Sequence, residues 1–419
     1  MSLDLEWIRA QFPALAQEID GQSVIFFDGP GGTQVPRSVI DAMSDYLIRS
    51  NANAHGAFAT SARTDALVTS SRAAIADFLG CDRDEVIFGA NMTTLTFALS
   101  RAIGRELRPR DEIVVTRLDH DANVSPWYAL EEQGATVRIV DIKAEDCTLD
   151  MRDLTRQINQ RTQLVAICYA SNAVGTINDL TTVVRLAHEV GALVFVDAVH
   201  YVPHGSIDVR ALDCDFLACS AYKFFGPHVG ILYGKRQHLT HLHPYKVRPA
   251  SVEIPSCWET GTLNHEGLAG LVAAIDYLVE LGRRVVPSVS NRREALKAAM
   301  DACQQYETEL CKQLIRGLLQ IPGLTLYGIT DPGRFVWRTP TVAIRLVGQT
   351  PQTIAVELGD RGIFTWHGNF YALGLTEKLG VEDSGGFLRI GLAHYNTVEE
   401  IDRLLKALNE IATLPKSPE

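Results

Sequence analysis

The most informative stretch of this sequence is Asp215-Phe-Leu-Ala-Cys-Ser220-Ala-Tyr222-Lys223-Phe-Phe-Gly226. It is an apolar run, typical of a buried strand, that leads directly into a lysine flanked by aromatic residues. Burial of an ammonium group is costly unless the group is paired or neutral. Desolvation also lowers the pKa of a lysine, so that its neutral amine can form a Schiff base. Lys223 is therefore a candidate reactive lysine; the alternative is a lysine that extends its ammonium group to solvent from a strand end.

The surrounding region, residues 85–235, alternates short apolar runs with helical stretches such as 151–159 and 180–190. The runs lack strict polar alternation, which is typical of strands buried on both faces of a parallel sheet. We therefore predict an α/β domain with a mostly parallel sheet. The apolar runs are Val86–Phe88, Glu112–Thr116, Val137–Asp141, Leu164–Tyr169, Leu193–Asp197, Asp215–Cys219 and Val229–Tyr233.

From residue 265 onward the pattern changes. Two long helical stretches, about 265–284 and 293–319, are followed by separate strands and by a final helix that opens with a capping-box pattern at Thr397 and Glu400. This mixture predicts a second, smaller α+β domain. We place the segments at 1–25 (an N-terminal segment packing with the small domain), 26–290 (the large domain) and 291–419 (the small C-terminal domain).

Composition narrows the classes of function. The 419 residues include 39 Lys and Arg against 50 Asp and Glu, a net charge of −11 that argues against a general nucleic-acid binder. No run approaches 18 consecutive apolar residues, so no membrane helix is predicted. The first twenty residues have neither the basic nor the apolar region of a signal peptide, and we expect a cytoplasmic protein. The eight cysteines form no CxxC pair and HExxH is absent, so no metal site is predicted.

Polar side chains follow several of the predicted strands. Asp197 ends one strand, His120 follows another, and Asn172 follows a third within Ser171-Asn172-Ala-Val-Gly175. Carboxyl ends of parallel strands share one edge of the sheet, so these groups converge on one crevice. An aspartate there can keep a pyridine nitrogen protonated, as in pyridoxal phosphate (PLP) enzymes, and a histidine can stack on an aromatic cofactor. The alternative for each is ordinary capping and turn chemistry.

The stretch Phe88-Gly-Ala-Asn91-Met92-Thr93-Thr94 lies between a strand and a predicted helix. The N-terminus of a helix with threonine hydroxyls can bind phosphate. Neither GxGxxG nor the phosphate-binding GxxxxGK[ST] occurs, which argues against a dinucleotide-dependent oxidoreductase.

Together these residues resemble a known family. Val196-Asp197, Ser220-Ala-Tyr-Lys223 and Arg389-Ile-Gly-Leu-Ala-His-Tyr-Asn396-Thr397 resemble motifs of the class V aminotransferase superfamily, in its cysteine desulfurase/selenocysteine lyase branch. The similarity extends from Phe26-Phe-Asp28 to Thr397. It implies the fold of fold type I PLP-dependent transferases, PLP as cofactor, and a homodimer with active sites at the subunit interface.

The resemblance also implies roles around the cofactor ring. Lys223 takes the place of the Schiff-base lysine, and Asp197 that of the partner of the pyridinium nitrogen. His120 is expected to stack on the ring, and Asn172 to hydrogen-bond the ring hydroxyl. His200 stands where the family often has glutamine, near the same oxygen.

For the phosphate, the resemblance implies the amide of Met92 and the hydroxyls of Thr93 and Ser220. Tyr222 replaces the family's usual histidine beside the lysine. Thr262, in Trp258-Glu-Thr-Gly-Thr262, is expected to cross the dimer to the phosphate of the other subunit.

For the substrate, Arg389 resembles the residue that clamps the α-carboxylate, a task suited to the fork of a guanidinium group. His55 and Asn369 are further candidate substrate-binding residues, and Asp28-Gly-Pro-Gly-Gly-Thr33 is expected to line the substrate entrance.

The sequence departs from the desulfurase pattern at the nucleophile. Desulfurases carry a cysteine on a small-domain loop after Arg-Gly-Ile, whereas here Arg361-Gly-Ile363 precedes a segment, 364–372, without a thiol. No cysteine follows Cys311 at all, and persulfide chemistry needs a thiolate. Tyr371 falls near the missing position, and Tyr371 and His367 are candidate acids or bases. The alternative is that the aromatic side chains of this segment only line the pocket.

We therefore expect a PLP-dependent enzyme that acts on an amino acid through Lys223, and a lyase without a persulfide cysteine as the first choice. An aminotransferase or an epimerase remains open. A PLP-binding but non-catalytic partner in sulfur transfer is the alternative of another class, although a scaffold would need neither Lys223 nor Arg389.

Overall fold

The computed structural model describes residues 3–413, so the outer limits predicted at residues 1 and 419 lie outside the described residues. The strands are β1 (Glu18–Ile19), β2 (Gln22–Ser23), β3 (Ile25–Phe26), β4 (Val86–Gly89), β5 (Glu112–Thr116), β6 (Thr136–Val140), β7 (Ile142–Lys143), β8 (Thr148–Leu149), β9 (Thr162–Cys168), β10 (Leu193–Asp197), β11 (Phe216–Ser220), β12 (Gly230–Gly234), β13 (Leu324–Tyr327), β14 (Thr341–Leu346), β15 (Ile363–Phe364), β16 (Trp366–Gly368) and β17 (Phe387–Gly391).

The α-helices include the predicted helical stretches 151–159, 180–190, 265–284 and 293–319 and the final helix after Thr397, with small differences at their ends. They are α1 (Leu5–Gln11), α2 (Arg37–Arg49), α3 (Ala59–Leu79), α4 (Met92–Gly104), α5 (Ser125–Tyr128), α6 (Met151–Gln157), α7 (Leu180–Glu189), α8 (Val209–Leu212), α9 (Arg236–His241), α10 (His265–Val285), α11 (Arg292–Leu318), α12 (Pro351–Gly359), α13 (Leu373–Lys378) and α14 (Val398–Ala412).

The large domain is built on a seven-stranded sheet with the order β4-β12-β11-β10-β9-β5-β6. Only β12 runs antiparallel to its neighbours, which confirms the predicted mostly parallel sheet. Along β9, Val165 and Ile167 enter the apolar core on one face, whereas Leu164 and Ala166 enter the core on the other. Both faces are therefore covered, and this is why the strands show no polar alternation.

The small domain contains a four-stranded antiparallel sheet with the order β13-β14-β17-β16. A separate core packs its strands against α12, α14 and the C-terminal half of α11. The capping box predicted for the last helix is present: Thr397 Oγ1 accepts from the Glu400 amide, and the Glu400 carboxylate accepts from the Thr397 amide. The α+β character predicted after residue 265 agrees with these elements.

Helix α11 joins the two domains as one continuous element of 27 residues. Ala295 and Ala299 near its start belong to the core of the large domain, whereas Leu310 and Leu314 belong to the core of the small domain.

The N-terminal segment contacts elements of both domains. The Trp7 ring stacks on Tyr277 of α10 with centroids 5.8 Å apart. Arg9 forms an ion pair with Glu400 of α14 at 2.8 Å. Over residues 3–413, no helix has the length and apolar character required to cross a bilayer.

Candidate active site

A cavity of about 420 Å³ opens at the carboxyl ends of β5, β9, β10 and β11, where the small domain meets the large one. Its volume lies within the range of small-molecule sites. Pro30 and Gly31, from the glycine-rich segment predicted at the entrance, border it. The sequence-predicted site residues that border it are Met92, Thr93, His120, Asn172, Asp197, His200, Ser220, Tyr222, Lys223, His367, Asn369, Tyr371 and Arg389.

Lys223 lies in a short turn, residues 221–223, directly after β11. Its Nζ donates a hydrogen bond to the Pro30 carbonyl and lies 4.8 Å from the centre of the Tyr222 ring. Burial, and then the positive charge of Arg389, lowers the pKa of Lys223 to about 7, although Asp197 acts in the opposite direction. Near neutral pH a large share of this amine is unprotonated, as a nucleophilic lysine requires.

Asp197 is the last residue of β10 and is buried. Its Oδ1 accepts a hydrogen bond from the Val199 amide at 2.9 Å, and Oδ2 bonds to no described residue. Burial raises the pKa of Asp197 to about 6, while the Val199 amide and Lys223 favour the carboxylate. The carboxylate is therefore available to a cationic ring nitrogen that enters the cavity.

His120 lies after β5, with Nδ1 accepting from the Ala122 amide at 3.0 Å. Burial, followed by the charge of Lys223, lowers the pKa of His120 to about 4, so the imidazole is neutral. The preceding residue, Asp119, is fully buried and accepts hydrogen bonds from Thr116 and Asn123. Asp119 anchors the loop that carries His120. Sequence reasoning missed it, although it adjoins the predicted histidine.

Helix α4 begins at Met92 at one end of the cavity, with Asn91 as its cap. The Met92 amide donates to Ser220 Oγ at 3.2 Å, which joins two of the residues predicted to hold phosphate. The approach of β12 to this helix start requires glycine at 230, since a Cβ there would lie 2.4 Å from the Asn91 carbonyl carbon. The helix is long enough for its N-terminus to favour an anion.

Arg389 on β17 lies on the side of the cavity formed by the small domain and is buried. Its Nη1 donates to the Asn172 carbonyl at 2.9 Å, and the Phe370 ring covers its guanidinium group at 4.0 Å. Nε is buried and makes no hydrogen bond to any described residue. Burial, opposed by the negative charge of Asp28, lowers the pKa of Arg389 to about 9, which still leaves it a cation near pH 7.

The unpartnered polar atoms of the cavity fit PLP and an amino-acid carboxylate. Asn172 Nδ2 donates to the Phe370 carbonyl at 2.8 Å, but Asn172 Oδ1 is buried without a partner in the described chain. Buried polar atoms are normally hydrogen-bonded, so Asn172 Oδ1 and Arg389 Nε indicate groups that a ligand satisfies. These two atoms, the amine of Lys223, the carboxylate of Asp197 and the start of α4 together provide hydrogen-bonding and charged groups that complement those of PLP and of an amino-acid carboxylate.

The loop at the mouth of the cavity, residues 369–371, is held in a defined shape. Phe370 and Tyr371 both have a left-handed backbone, with φ of 56° and 59°. The Tyr371 carbonyl accepts from the Asp121 amide at 2.7 Å, and the Tyr371 amide donates to Asn369 Oδ1 at 3.0 Å. Asn369 in turn donates to Glu382 at 2.9 Å, so this predicted substrate-binding residue also supports the loop.

Tyr371 is 70% exposed, and its ring packs on His120 with centroids 5.2 Å apart and an angle of 27° between the planes. Of the cysteines in the described chain, Cys168 borders the cavity. It is buried at the end of β9, and burial raises the pKa of its thiol well above the ordinary value, with further contributions from Asp119 and Asp197. Cys168 is therefore a protonated thiol and not a thiolate nucleophile.

His367 borders the cavity from β16, an edge strand. In the register of the sheet Trp366 lies opposite Arg389, whereas His367 lies opposite Leu388. Side chains alternate between the faces of a strand, so Trp366 shares the face of Arg389 and His367 belongs to the other face. Since His367 and Tyr371 both border the cavity, both stay candidates for an acid or base at the site.

Two predicted residues are not brought to the cavity of this chain. The His55 side chain is 91% exposed, contacts Asp65 at 3.2 Å and does not border this cavity, so its role in substrate binding stays a prediction. Thr262 is also exposed and does not border the cavity. Its predicted reach to a second subunit stays a prediction.

Comparisons with known proteins match the chain to the family that its motifs resemble. The model of the family "Aminotransferase class-V" matches residues 25–404. The chain is 32% identical over 431 residues to a cysteine desulfurase of Pectobacterium carotovorum subsp. carotovorum (strain PC1), with 99% of each chain covered. It is also 32% identical over 421 residues to the aminotransferase-like protein FGM3 of Gibberella zeae, with 98% of this chain and 99% of the relative covered.

Among solved structures, the apo cysteine desulfurase of Thermococcus onnurineus NA1 has a TM-score of 0.86 and 26% identity, with 98% of each chain covered. The sequence and fold therefore match this family over nearly the whole chain. The lysine, aspartate and arginine of its motifs meet in one cavity whose unpartnered atoms fit the cofactor. The chain belongs to the class V aminotransferase family and is a PLP-dependent enzyme of the cysteine desulfurase-like type.

Proposed function

We propose that this enzyme is a lyase that eliminates a β-substituent, bound through sulfur or another leaving atom, from an amino acid without forming a persulfide. The observation that carries the proposal is the loop at the cavity mouth. Tyr371 packs there on His120, and the one cysteine of the described chain that borders the cavity, Cys168, is a buried thiol. A persulfide requires an accessible thiolate, whereas β-elimination requires groups that move protons.

Arg389 binds the α-carboxylate of the substrate in this proposal. Its Nε has no partner in the described chain, and its Nη1 is oriented by the Asn172 carbonyl. A guanidinium group in this state can donate to a carboxylate without first losing another bond. The Phe370 ring over its face, at 4.0 Å, limits the directions from which the carboxylate approaches.

Lys223 takes the proton from Cα and Asp197 holds the proton of the ring nitrogen. The amine of Lys223 is suited to this step because its pKa is near 7, close to the working pH. When bound, PLP would supply an electron sink for the electron pair that Cα releases. Tyr371 is our candidate donor of a proton to the leaving group, since its ring lies at the mouth against His120.

We also propose a homodimer in which Thr262 serves the cavity of the other subunit. Thr262 and His55 are exposed in the single chain, although both are candidate site residues and the resemblance assigns Thr262 to the phosphate of the other subunit. Apolar side chains on α2 and just before α3 are exposed as well: Leu47 by 51%, Ile48 by 80% and Phe58 by 59%. A second subunit would cover such a surface.

The products of L-cysteine separate the possible reactions. β-Elimination breaks the Cα–H and Cβ–S bonds and, with one water, yields pyruvate, ammonia and hydrogen sulfide. Transfer of sulfur to a protein thiol instead yields alanine. The PLP-loaded enzyme is therefore incubated with L-cysteine, S-methyl-L-cysteine and O-acetyl-L-serine, and pyruvate, alanine and ammonia are measured. Lys223→Ala is the matched inactive control.

Pyruvate and ammonia in equal amounts from one of these substrates, absent with Lys223→Ala, support the lyase. Alanine from cysteine would overturn it in favour of desulfurase chemistry. If another amino acid abolishes the PLP band and yields one equivalent of its 2-oxo acid, the enzyme is an aminotransferase. Exchange of the Cα hydrogen with deuterium and inversion identifies an epimerase. Bound PLP without any of these reactions supports a non-catalytic partner.

A further inference from the structure

We propose that Thr339 is a positioning residue for the cofactor, because its hydroxyl fixes the ring of His200 at the edge of the cavity. Thr339 belongs to the small domain, two residues before β14 begins, and does not border the cavity itself. His200 follows β10 and does border it. The inference rests on the PLP cofactor of the family and not on the lyase activity proposed above.

Within the described chain, the His200 side chain makes one hydrogen bond to another side chain. His200 Nε2 lies 3.1 Å from Thr339 Oγ1, and both side chains are buried. The neighbouring ring, His204, packs edge-on with centroids 5.4 Å apart and makes its own bond to Glu307. Thr339 is therefore the group that determines the rotation of the His200 ring.

Thr339 is itself held firmly by the large domain. Its amide donates to the Gly175 carbonyl at 2.8 Å, and its hydroxyl lies 3.3 Å from the same oxygen. Gly175 has φ of +80°, and a Cβ there would lie within 3.0 Å of Thr339 and closer to the Thr341 carbonyl. The contact thus depends on a glycine in the loop that also carries Asn172.

The hydroxyl of Thr339 has one proton to donate. When that proton goes to the Gly175 carbonyl, Thr339 Oγ1 accepts from His200 Nε2–H, and Nδ1 of the neutral ring is an acceptor. Three cationic or titratable groups act on this imidazole: His204 on its own loop, Arg389 on β17 and Lys223 after β11. Burial is the largest contribution and lowers the pKa of His200, so the ring is neutral. A fixed, neutral ring offers the cofactor a defined hydrogen-bonding atom.

The test measures PLP itself and needs no substrate. The PLP dissociation constant of the apoenzyme and the pH dependence of the visible PLP band are compared for the wild type and variants. Thr339→Val removes the hydroxyl at nearly constant volume and should weaken PLP binding about fivefold, as expected for one hydrogen bond. It should also shift the pH midpoint of the band. Thr339→Ser should restore both values.

The matched control is Thr341→Val, since Thr341 is equally buried two residues along the chain and its Oγ1 has no partner among the described residues. It should leave both measurements unchanged. In a His200→Leu background, which has no side-chain group to bond Thr339, Thr339→Val should add no further change, because contacting residues that act as one unit are not additive. Thr339→Ala replaces Thr339→Val if the latter does not fold.

A Thr339→Val enzyme with the PLP affinity and band of the wild type would overturn the inference. So would equal effects of Thr339→Val and Thr341→Val, or full additivity with His200→Leu. Failure of the lyase proposal would leave these measurements intact, since both are made on the bound cofactor alone.

Discussion

The ring of Tyr371 lies nearly parallel to the imidazole of His120, with their centroids 5.2 Å apart. The tyrosine is presented by a left-handed backbone and by the hydrogen bond from the Asp121 amide to its carbonyl. Non-glycine residues in this backbone region cost energy and are concentrated at functional sites. The loop backbone and this hydrogen bond therefore fix the phenol of Tyr371 at the mouth of the cavity.

Replacement of Tyr371 by phenylalanine tests whether this phenol transfers a proton. Tyr371→Phe keeps the ring on His120 and removes the hydroxyl, so kcat/KM should fall about a hundredfold, as for a general acid. The PLP dissociation constant should not change. Trp366→Phe, in the same wall of the cavity, is the control and should stay near the wild-type rate. Full activity of the Tyr371→Phe enzyme would show that Tyr371 only lines the cavity and transfers no proton.

The pKa of Lys223 predicts how PLP capture depends on pH. Since burial and Arg389 lower this pKa to about 7, the amine is protonated below pH 7 and neutral above it. The rate at which the apoenzyme binds PLP, followed by absorbance, should therefore rise through pH 7 and then level off. In Arg389→Met one positive charge is lost, and the midpoint should move upward. A midpoint near 10, the ordinary value for lysine, would contradict the prediction.

Arg389→Lys tests the proposed carboxylate site. Lysine keeps the charge but lacks the planar fork that donates two parallel hydrogen bonds. Loss of one charge-assisted bond corresponds to about a tenfold to hundredfold increase in KM, with a smaller effect on kcat. Arg345→Lys on β14 of the same sheet, outside the cavity, is the control. Equal KM values for the wild type and Arg389→Lys would place the carboxylate elsewhere.

Gly230→Ala tests the approach of β12 to the start of α4. The added Cβ would lie 2.4 Å from the backbone of Asn91, so the strand or the helix start must move. We expect a loss of about 1–3 kcal/mol in the free energy of unfolding and weaker PLP binding, measured by thermal unfolding and by titration. Gly359→Ala at the end of α12 meets no atom within 4 Å and should leave both unchanged or raise stability slightly.

Long, continuous patterns were predictable from the sequence. The runs Glu112–Thr116 and Leu193–Asp197 are strands with these bounds, because strands covered on both faces must be apolar throughout. The convergence of Lys223, Asp197 and His120 followed from the shared edge of a parallel sheet. Strand β16 was not predicted, because Trp366-His-Gly is too short and too polar at its centre to carry a periodic signal.

Contacts between distant segments were beyond the reach of sequence patterns. His200 and Thr339 are 139 positions apart, and no local rule connects a histidine after one strand with a threonine before another. The buried state of Asp119, anchored by Thr116 and Asn123, also emerges only once the loop is folded over the sheet. The side chain of His55, a candidate substrate-binding residue, lies at the surface of the single chain, and its role there stays a prediction.

Helix α11 begins in one core and ends in the other without a break. Its 27 residues span about 40 Å at 1.5 Å per residue, and no flexible linker interrupts them. The two domains therefore cannot swing apart as bodies on a hinge at this crossing without bending a hydrogen-bonded rod. A relative motion of the two domains at this crossing therefore has to bend or tilt the helix as a whole, and both cores move with it.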